Sequence, residues 1–219
     1  MIEENLARVE ERILAACARS GRSRQEITLV AVTKVFPADT ILEAYGAGLR
    51  DFGENYVQEF ETKAPSVAHL DGARYHLIGH LQSNKTRKAA ELFHVIETID
   101  SVKVARRLDE VETPKDVFIE VKLSEEESKY GMAPAGIGDL VDFINSCEHL
   151  HLQGLMTMPP WSEDQEQSRP YFRRLRELAS RHDLPCLSMG MSNDFEAAIE
   201  EGATHIRVGT ALFGSRKRN

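Results

Sequence analysis

The sequence predicts an α/β protein: a single (β/α)8 TIM barrel preceded by one additional helix. Three observations carry that prediction. Short β-branched runs alternate with helical stretches, and eight such strands can be read. No Pro/Gly/Ser-rich linker divides the 219 residues, a length that single α/β barrels reach. Polar clusters recur where the strands end, which is the functional face of such a barrel.

The chain opens with MIEENLARVEERILAACARSGRS, which places Ile2, Leu6, Val9 and Ile13 on one helical stripe. This helix precedes the first strand, so it is an addition to the barrel. It is acidic and amphipathic, unlike a signal or transit peptide. Strands are predicted near Thr28–Thr33, Arg50–Gly53, Tyr75–Gly79, Val95–Thr98, Val117–Lys122, Leu152–Met156, Cys186–Ser188 and His205–Val208. Helices fill the gaps at Ala38–Ala47, Val57–Lys63, Lys85–Glu91, Val102–Val111, Ala135–Cys147, Gln165–His182 and Asp194–Glu201, with a short turn at Thr210–Phe213. Residues 1–219 read as one domain.

Composition excludes several classes of function. The formal net charge is -8 and the pI is near 5.5, which disfavours a general nucleic-acid binder. No apolar run approaches the length of a membrane span. Cys17, Cys147 and Cys186 are far apart and form no CxxC pair, which argues against a disulfide framework or zinc site. The expectation is a cytoplasmic protein with each thiol a small core residue.

Lys34 ends the apolar first strand, where an ordinary strand end also places lysines. Its meaning comes from the far end of the chain. In MGMSNDFEAAIEEG, Gly190, Ser192 and Asn193 stand just before a helix, whose N–H groups and dipole attract an anion. Asn193 and Glu196 also match a capping box, the plain structural explanation. Gly209 and Thr210 precede a second short turn. Two such turns, after strands seven and eight, lie where barrels hold phosphate. A desolvated lysine can attack a carbonyl as a neutral amine. Lysine and phosphate site together suggest pyridoxal 5'-phosphate, or a Schiff-base aldolase acting on a sugar phosphate; spacing alone does not choose. Strand alternation puts His205 and Arg207 on one face. An arginine beside a pyridine nitrogen stays charged and leaves that nitrogen unprotonated, which weakens the ring as an electron sink. A carboxylate partner in the barrel is the competing reading for Arg207.

The other clusters have simpler readings. His76 and His80 read as satisfied core or rim histidines, with no ligand set for a metal. Lys85, Arg87 and Lys88 read as a solvated helix face. Ser124–Met132, SEEESKYGM, reads as a polar surface loop, with a lid as the alternative. Met156, Met158 and Met189 read as core fillers, and the tail SRKRN as a short basic end.

AVTK, FGENYVQE, HLIGHLQSNK, EESKYGM, GLMTMPP, LSMGMSNDFEAAI and IRVGTALFG occur in this order across nearly the whole chain. Together they resemble the pyridoxal phosphate homeostasis protein family. The resemblance implies a barrel like that of alanine racemase, the fold-type III class, and a cofactor-binding protein without established turnover. It implies roles in vitamin B6 balance and in amino- and keto-acid metabolism. By position, Lys34 looks like the Schiff-base lysine and Asn55 like a neighbour of the ring. Met189, Ser192, Gly209 and Thr210 look like the phosphate cup, Arg207 like the ring-nitrogen partner, and Lys129 like a secondary site for the aldehyde. Phe36 departs from the pattern, because relatives often carry a second lysine there. Tyr75 stands where Trp or Phe is more frequent.

The resemblance favours a protein that holds and buffers the cofactor, handing it to apo-enzymes, over an amino-acid racemase or an aldolase. Racemisation needs a second acid/base, which in alanine racemase-like proteins comes from an additional β-domain. The sequence stops soon after the eighth strand, so that domain and its dimer interface are expected to be absent and the protein monomeric.

Overall fold

The computed structural model describes residues 1–126 and 130–214. Eight parallel strands close into a barrel in chain order. They are β1 (Thr28–Val32), β2 (Asp51–Glu54), β3 (Arg74–Leu77), β4 (Val95–Ile99), β5 (Lys115–Glu120), β6 (Leu150–Met156), β7 (Cys186–Met191) and β8 (His205–Val208). The helices are α1 (Ile2–Ser20), α2 (Ala38–Gly46), α3 (Val57–Val67), α4 (Thr86–Leu92), α5 (Val102–Asp109), α6 (Ile137–Asn145), α7 (Arg169–Arg181), α8 (Phe195–Glu200) and α9 (Thr210–Phe213).

The two-residue period of the strands explains why the barrel forms. Leu29, Ala31, Phe52, Leu77, Ile96, Val117, Ile119, Leu155, Leu187, Ile206 and Val208 are all buried in one core between sheet and helices. Burying each large side chain contributes about 1.5–3 kcal/mol. The alternate residues face the barrel axis. Val95, Phe118 and Met156 form a small apolar plug there, while Asp51, His76, Glu97, Ser188 and Arg207 make the rest of the interior polar.

Helix α1 ends at Gly21, whose φ of 68° closes a left-handed cap back to the Cys17 carbonyl. Its buried stripe of Ile2, Val9, Ile13, Ala16 and Cys17 packs on α8 and α9. Leu6 is only half-buried at the edge of that stripe.

Three sequence expectations shift. Helix α3 continues to Val67 through Pro65. The missing proline N–H falls in its last turn, so one helical bond is lost and the run survives. Strand β7 extends to Met191, beyond the expected end at Ser188. The Asn193–Glu196 capping box does not form. Asp194 is the cap residue of α8 and its Oδ1 accepts the Met191 N–H at 2.7 Å. Asn193 instead donates to the Ser162 carbonyl at 2.7 Å, and Glu196 pairs with Arg12 at 2.8 Å.

Candidate cofactor-binding site

A cavity of about 500 Å³ opens at the C-terminal ends of β1, β2, β7 and β8. Lys34, Asn55, Ser192, Arg207, Gly209 and Thr210 all line it. Residues separated by up to 176 positions in sequence therefore meet at one place, as the strand-end argument requires.

The Lys34 arm is built by a buried ion pair. The Lys63 ammonium, on α3, donates to both Glu54 oxygens at 2.9 and 3.0 Å and to the Thr33 carbonyl at 3.1 Å. It also reaches Glu59 at 2.6 Å, and the same Glu59 oxygen accepts the Val35 N–H at 2.6 Å. The residues on either side of Lys34 are thus tied to one ammonium. Val35 needs that tether: it is β-branched and exposed, yet sits at φ 63°, in the left-handed region such residues avoid. Burial pushes the Glu54 carboxyl above its ordinary range, against the pull of Lys63 and Thr33. Phe36 turns away to pack its ring 5.4 Å from that of Phe213.

The second arm is a turn in which Ser192 meets the start of α9. Ser192 Oγ lies 3.2 Å from the backbone nitrogens of both Gly209 and Ala211 and accepts from each. Gly190 makes the turn possible with φ 93°. A Cβ on it would lie 2.5 Å from the Ala198 Cβ. Arg12 of α1 braces this turn from behind, pairing with Glu196 and lying 4.3 Å from the centre of the Phe195 ring.

Arg207 is 3% exposed and forms part of the cavity wall. It donates to Ser188 Oγ at 2.6 Å and to the Thr157 carbonyl at 2.8 Å, which leaves further N–H donors for a ligand. Burial lowers its pKa against the pull of Glu97, Asp194 and Glu120, but a guanidinium stays protonated in proteins. Behind it, Ser188 donates to Glu97, and Glu97 faces His76 Nδ1 at 2.7 Å. The His76 Nε2 lies 2.9 Å from Asp51. Burial alone would raise the Glu97 pKa. The hydrogen bond and charge of His76, with Arg207 and His205, bring it down to about 2.

Met189 is not brought to the cavity. It is fully buried in the outer core, and Met191 lines the wall instead. Met189 lies beside Leu187 on the outer face by ordinary alternation from Ser188, and an irregularity beyond it turns Met191 inward: Ser188 pairs with His205 but Met191 with Arg207, three steps against two. Such a bulge re-phases the strand alternation. Lys129 lies outside the described residues. Met158, Pro160, Trp161 and Ser162 add the outer wall, with Trp161 74% exposed. Among the described residues no group of three or more His, Cys, Asp or Glu could hold a metal, and no helix is long and apolar enough to cross a membrane.

The alanine racemase N-terminal domain family matches residues 5–217. A pyridoxal phosphate homeostasis protein of Pseudomonas aeruginosa is 44% identical over 221 residues, covering 98% of this chain and 96% of that protein. The chain belongs to the pyridoxal phosphate homeostasis protein family. The member from Aquifex aeolicus is 42% identical over 224 residues, covering 98% of both chains. In three dimensions the chain is similar to PipY of Synechococcus elongatus with PLP bound, at TM-score 0.86 and 36% identity over 98% of this chain and 100% of that one.

Several members of the site were not legible as such in the sequence. Lys63 reads as the end of a solvated helix, and Arg12 as one of several charges on α1. Met191 and Trp161 carry no chemical signature. Glu97 and Ser188 stand inside short strands, where alternation could have placed them on the axis beside His205 and Arg207.

Proposed function

We propose that this chain binds pyridoxal 5'-phosphate through Lys34 and serves intracellular balance of that cofactor, buffering the reactive aldehyde and handing it to apo-enzymes. The observation that carries the reading is the meeting of Lys34, Arg207 and the Ser192–Gly209–Thr210 cradle in one cavity. The donor set fits the group. An amine can capture an aldehyde as a Schiff base, releasing one water. A hydroxyl and backbone N–H groups suit a phosphate. A guanidinium that only donates suits a ring nitrogen with a free lone pair. When bound, the cofactor supplies the electrophilic aldehyde and an electron-accepting ring. Arg207 keeps that ring nitrogen unprotonated, which favours holding over turnover.

Asn55 contacts the ring side of the cavity in this reading, and Lys129 offers a secondary amine for the aldehyde. The family names of the relatives, which describe homeostasis, support a role without catalysis. Three free cysteines accord with a reducing cytoplasm. We read the working form as a monomer, which light scattering reports directly.

The test is an absorption spectrum of the purified protein, with added pyridoxal phosphate, before and after borohydride. The expected result is a visible band that bleaches on reduction, with the trapped cofactor mapped by mass spectrometry to Lys34, and lost in Lys34→Ala. A minor adduct at Lys129 would support the secondary site. A protein that neither colours nor forms a reducible adduct overturns the reading.

A further inference from the structure

The geometry points to Ser188 and Glu97 as positioning residues that hold the Arg207 guanidinium against the cofactor ring, an inference that rests on the pyridoxal phosphate reading above. Neither residue lines the cavity, and both are fully buried. Whatever they do for a ligand, they do through Arg207.

The direction of each hydrogen bond follows from chemistry. An arginine only donates and an ionised carboxylate only accepts. The single Ser188 hydroxyl hydrogen must then go to Glu97 Oε2, which turns its lone pairs toward Arg207 Nη1 at 2.6 Å. Ser188 is a one-way link, and its orientation is set by the Glu97 charge. Glu97 is held ionised in turn by His76, whose other nitrogen faces Asp51. Two carboxylates on the two ring nitrogens call for both nitrogens to donate, so His76 is an imidazolium. Charge alternates along the chain: Asp51 negative, His76 positive, Glu97 negative, Arg207 positive. This chain crosses the barrel interior from the N-terminal start of β2 to the cavity.

Other titratable groups face the same chain. Asp194 acts on Arg207 from the cap of α8 and Glu120 from the end of β5, and His205 acts on Glu97 from β8. Only Ser188 and the Thr157 carbonyl are hydrogen-bonded to the guanidinium among the described residues. Buried ions of this kind are costly, and a barrel selected for stability alone is served as well by apolar side chains. A device that fixes one guanidinium facing a ligand accounts for their presence.

The experiment compares parent, Ser188→Ala, Ser188→Thr and Glu97→Gln. Three quantities are read: the affinity for pyridoxal phosphate, the position and pH midpoint of the visible band, and the thermal stability of the cofactor-free protein. Losing a hydrogen bond to a charged group weakens binding by roughly tenfold or more. Ser188→Ala and Glu97→Gln are expected to lose at least that and to move the band or its pH midpoint. Ser188→Thr, which keeps the hydroxyl, is expected to stay near the parent. If Ser188→Ala does not fold, Ser188→Cys keeps the volume while weakening the acceptor. Lowered thermal stability with unchanged affinity and unchanged band overturns the inference and leaves these residues as barrel packing. A parent protein that forms no reducible adduct overturns the cofactor reading itself, which the parent sample reports separately.

Discussion

Replacing Lys63 by methionine tests how the Lys34 turn is built. Lys63 is 7% exposed, and its ammonium touches Glu54, Glu59 and the Thr33 carbonyl. Methionine keeps much of the aliphatic stem and removes the charge. Glu54, fully buried, is left with the Thr33 hydroxyl at 2.7 Å as its hydrogen-bonding partner among the described residues. Breaking a buried ion pair from one side costs about 3–5 kcal/mol. For a chain of this size each kcal/mol lowers Tm by about 2–4 °C, so the expected fall is roughly 6–20 °C at neutral pH. The loss should shrink in acid. The Glu54 carboxyl already sits above its ordinary range because of burial. A carboxyl raised in the folded state takes its proton there before it does in the unfolded chain, so lowering the pH through its folded pKa favours the native state. A neutral Glu54 needs no counter-ion, and the gap between parent and variant closes. Urea unfolding of both proteins across the acidic range measures this. A loss below about 1 kcal/mol, the size of a surface pair, or a gap that does not change with pH, would refute the argument.

Two further outcomes follow from the geometry. Gly190→Ala places a Cβ 2.5 Å from that of Ala198 and 2.9 Å from the Phe195 Cα, at φ 93°. A loss of about 1–3 kcal/mol or more in urea unfolding is expected, and a variant as stable as the parent would show that α8 shifts freely. His205→Gln tests the barrel interior. Burial brings the His205 pKa down to about 4 from an ordinary 6.5. Between those values the unfolded chain binds a proton the native state does not, so stability falls with acid by about 1.4 kcal/mol per pH unit. The glutamine variant should lose that part of the slope between pH 6.5 and 4.5, above the range where Glu97 begins to protonate. An identical slope in both proteins would place the acid sensitivity elsewhere.

The barrel was legible because its outward faces are apolar at a two-residue period, from Leu29 and Ala31 in β1 to Ile206 and Val208 in β8. The strand ends were legible because polar clusters interrupt those runs at Lys34, Asn55, Ser192 and Thr210. The phase of β7 was not. Its bulge after Ser188 spends three steps against two of β8, which turns Met191 to the cavity where plain alternation from Ser188 would send it outward. Lys63 was illegible for a different reason. A lysine at the polar end of a helical segment looks solvated until the fold turns it under β1 and β2. Helix α3 runs past its expected end at Lys63 because Pro65 sits in its last turn, where only one helical bond is lost.

The three arms of the cavity share one construction. Each presents a group that could bind a ligand, and each is held from behind by an ionic contact that the ligand does not touch. Lys63 with Glu54 and Glu59 holds the turn at Lys34. Glu97 with Ser188 holds Arg207. Arg12 with Glu196 holds the helix that follows the Ser192 turn. The first two are buried, where ion pairs contribute little net stability and apolar packing would serve as well. The third is partly exposed, where an ion pair is worth about 1 kcal/mol or less. Their common value is directional. Hydrogen bonds to charges fix the angle of a group as well as its place, which apolar packing does less sharply. On the function proposed above, the three points hold one aldehyde, one phosphate and one ring nitrogen in register, which needs that direction at each of them. Substitutions behind the arms should therefore change binding, even where they leave the barrel folded.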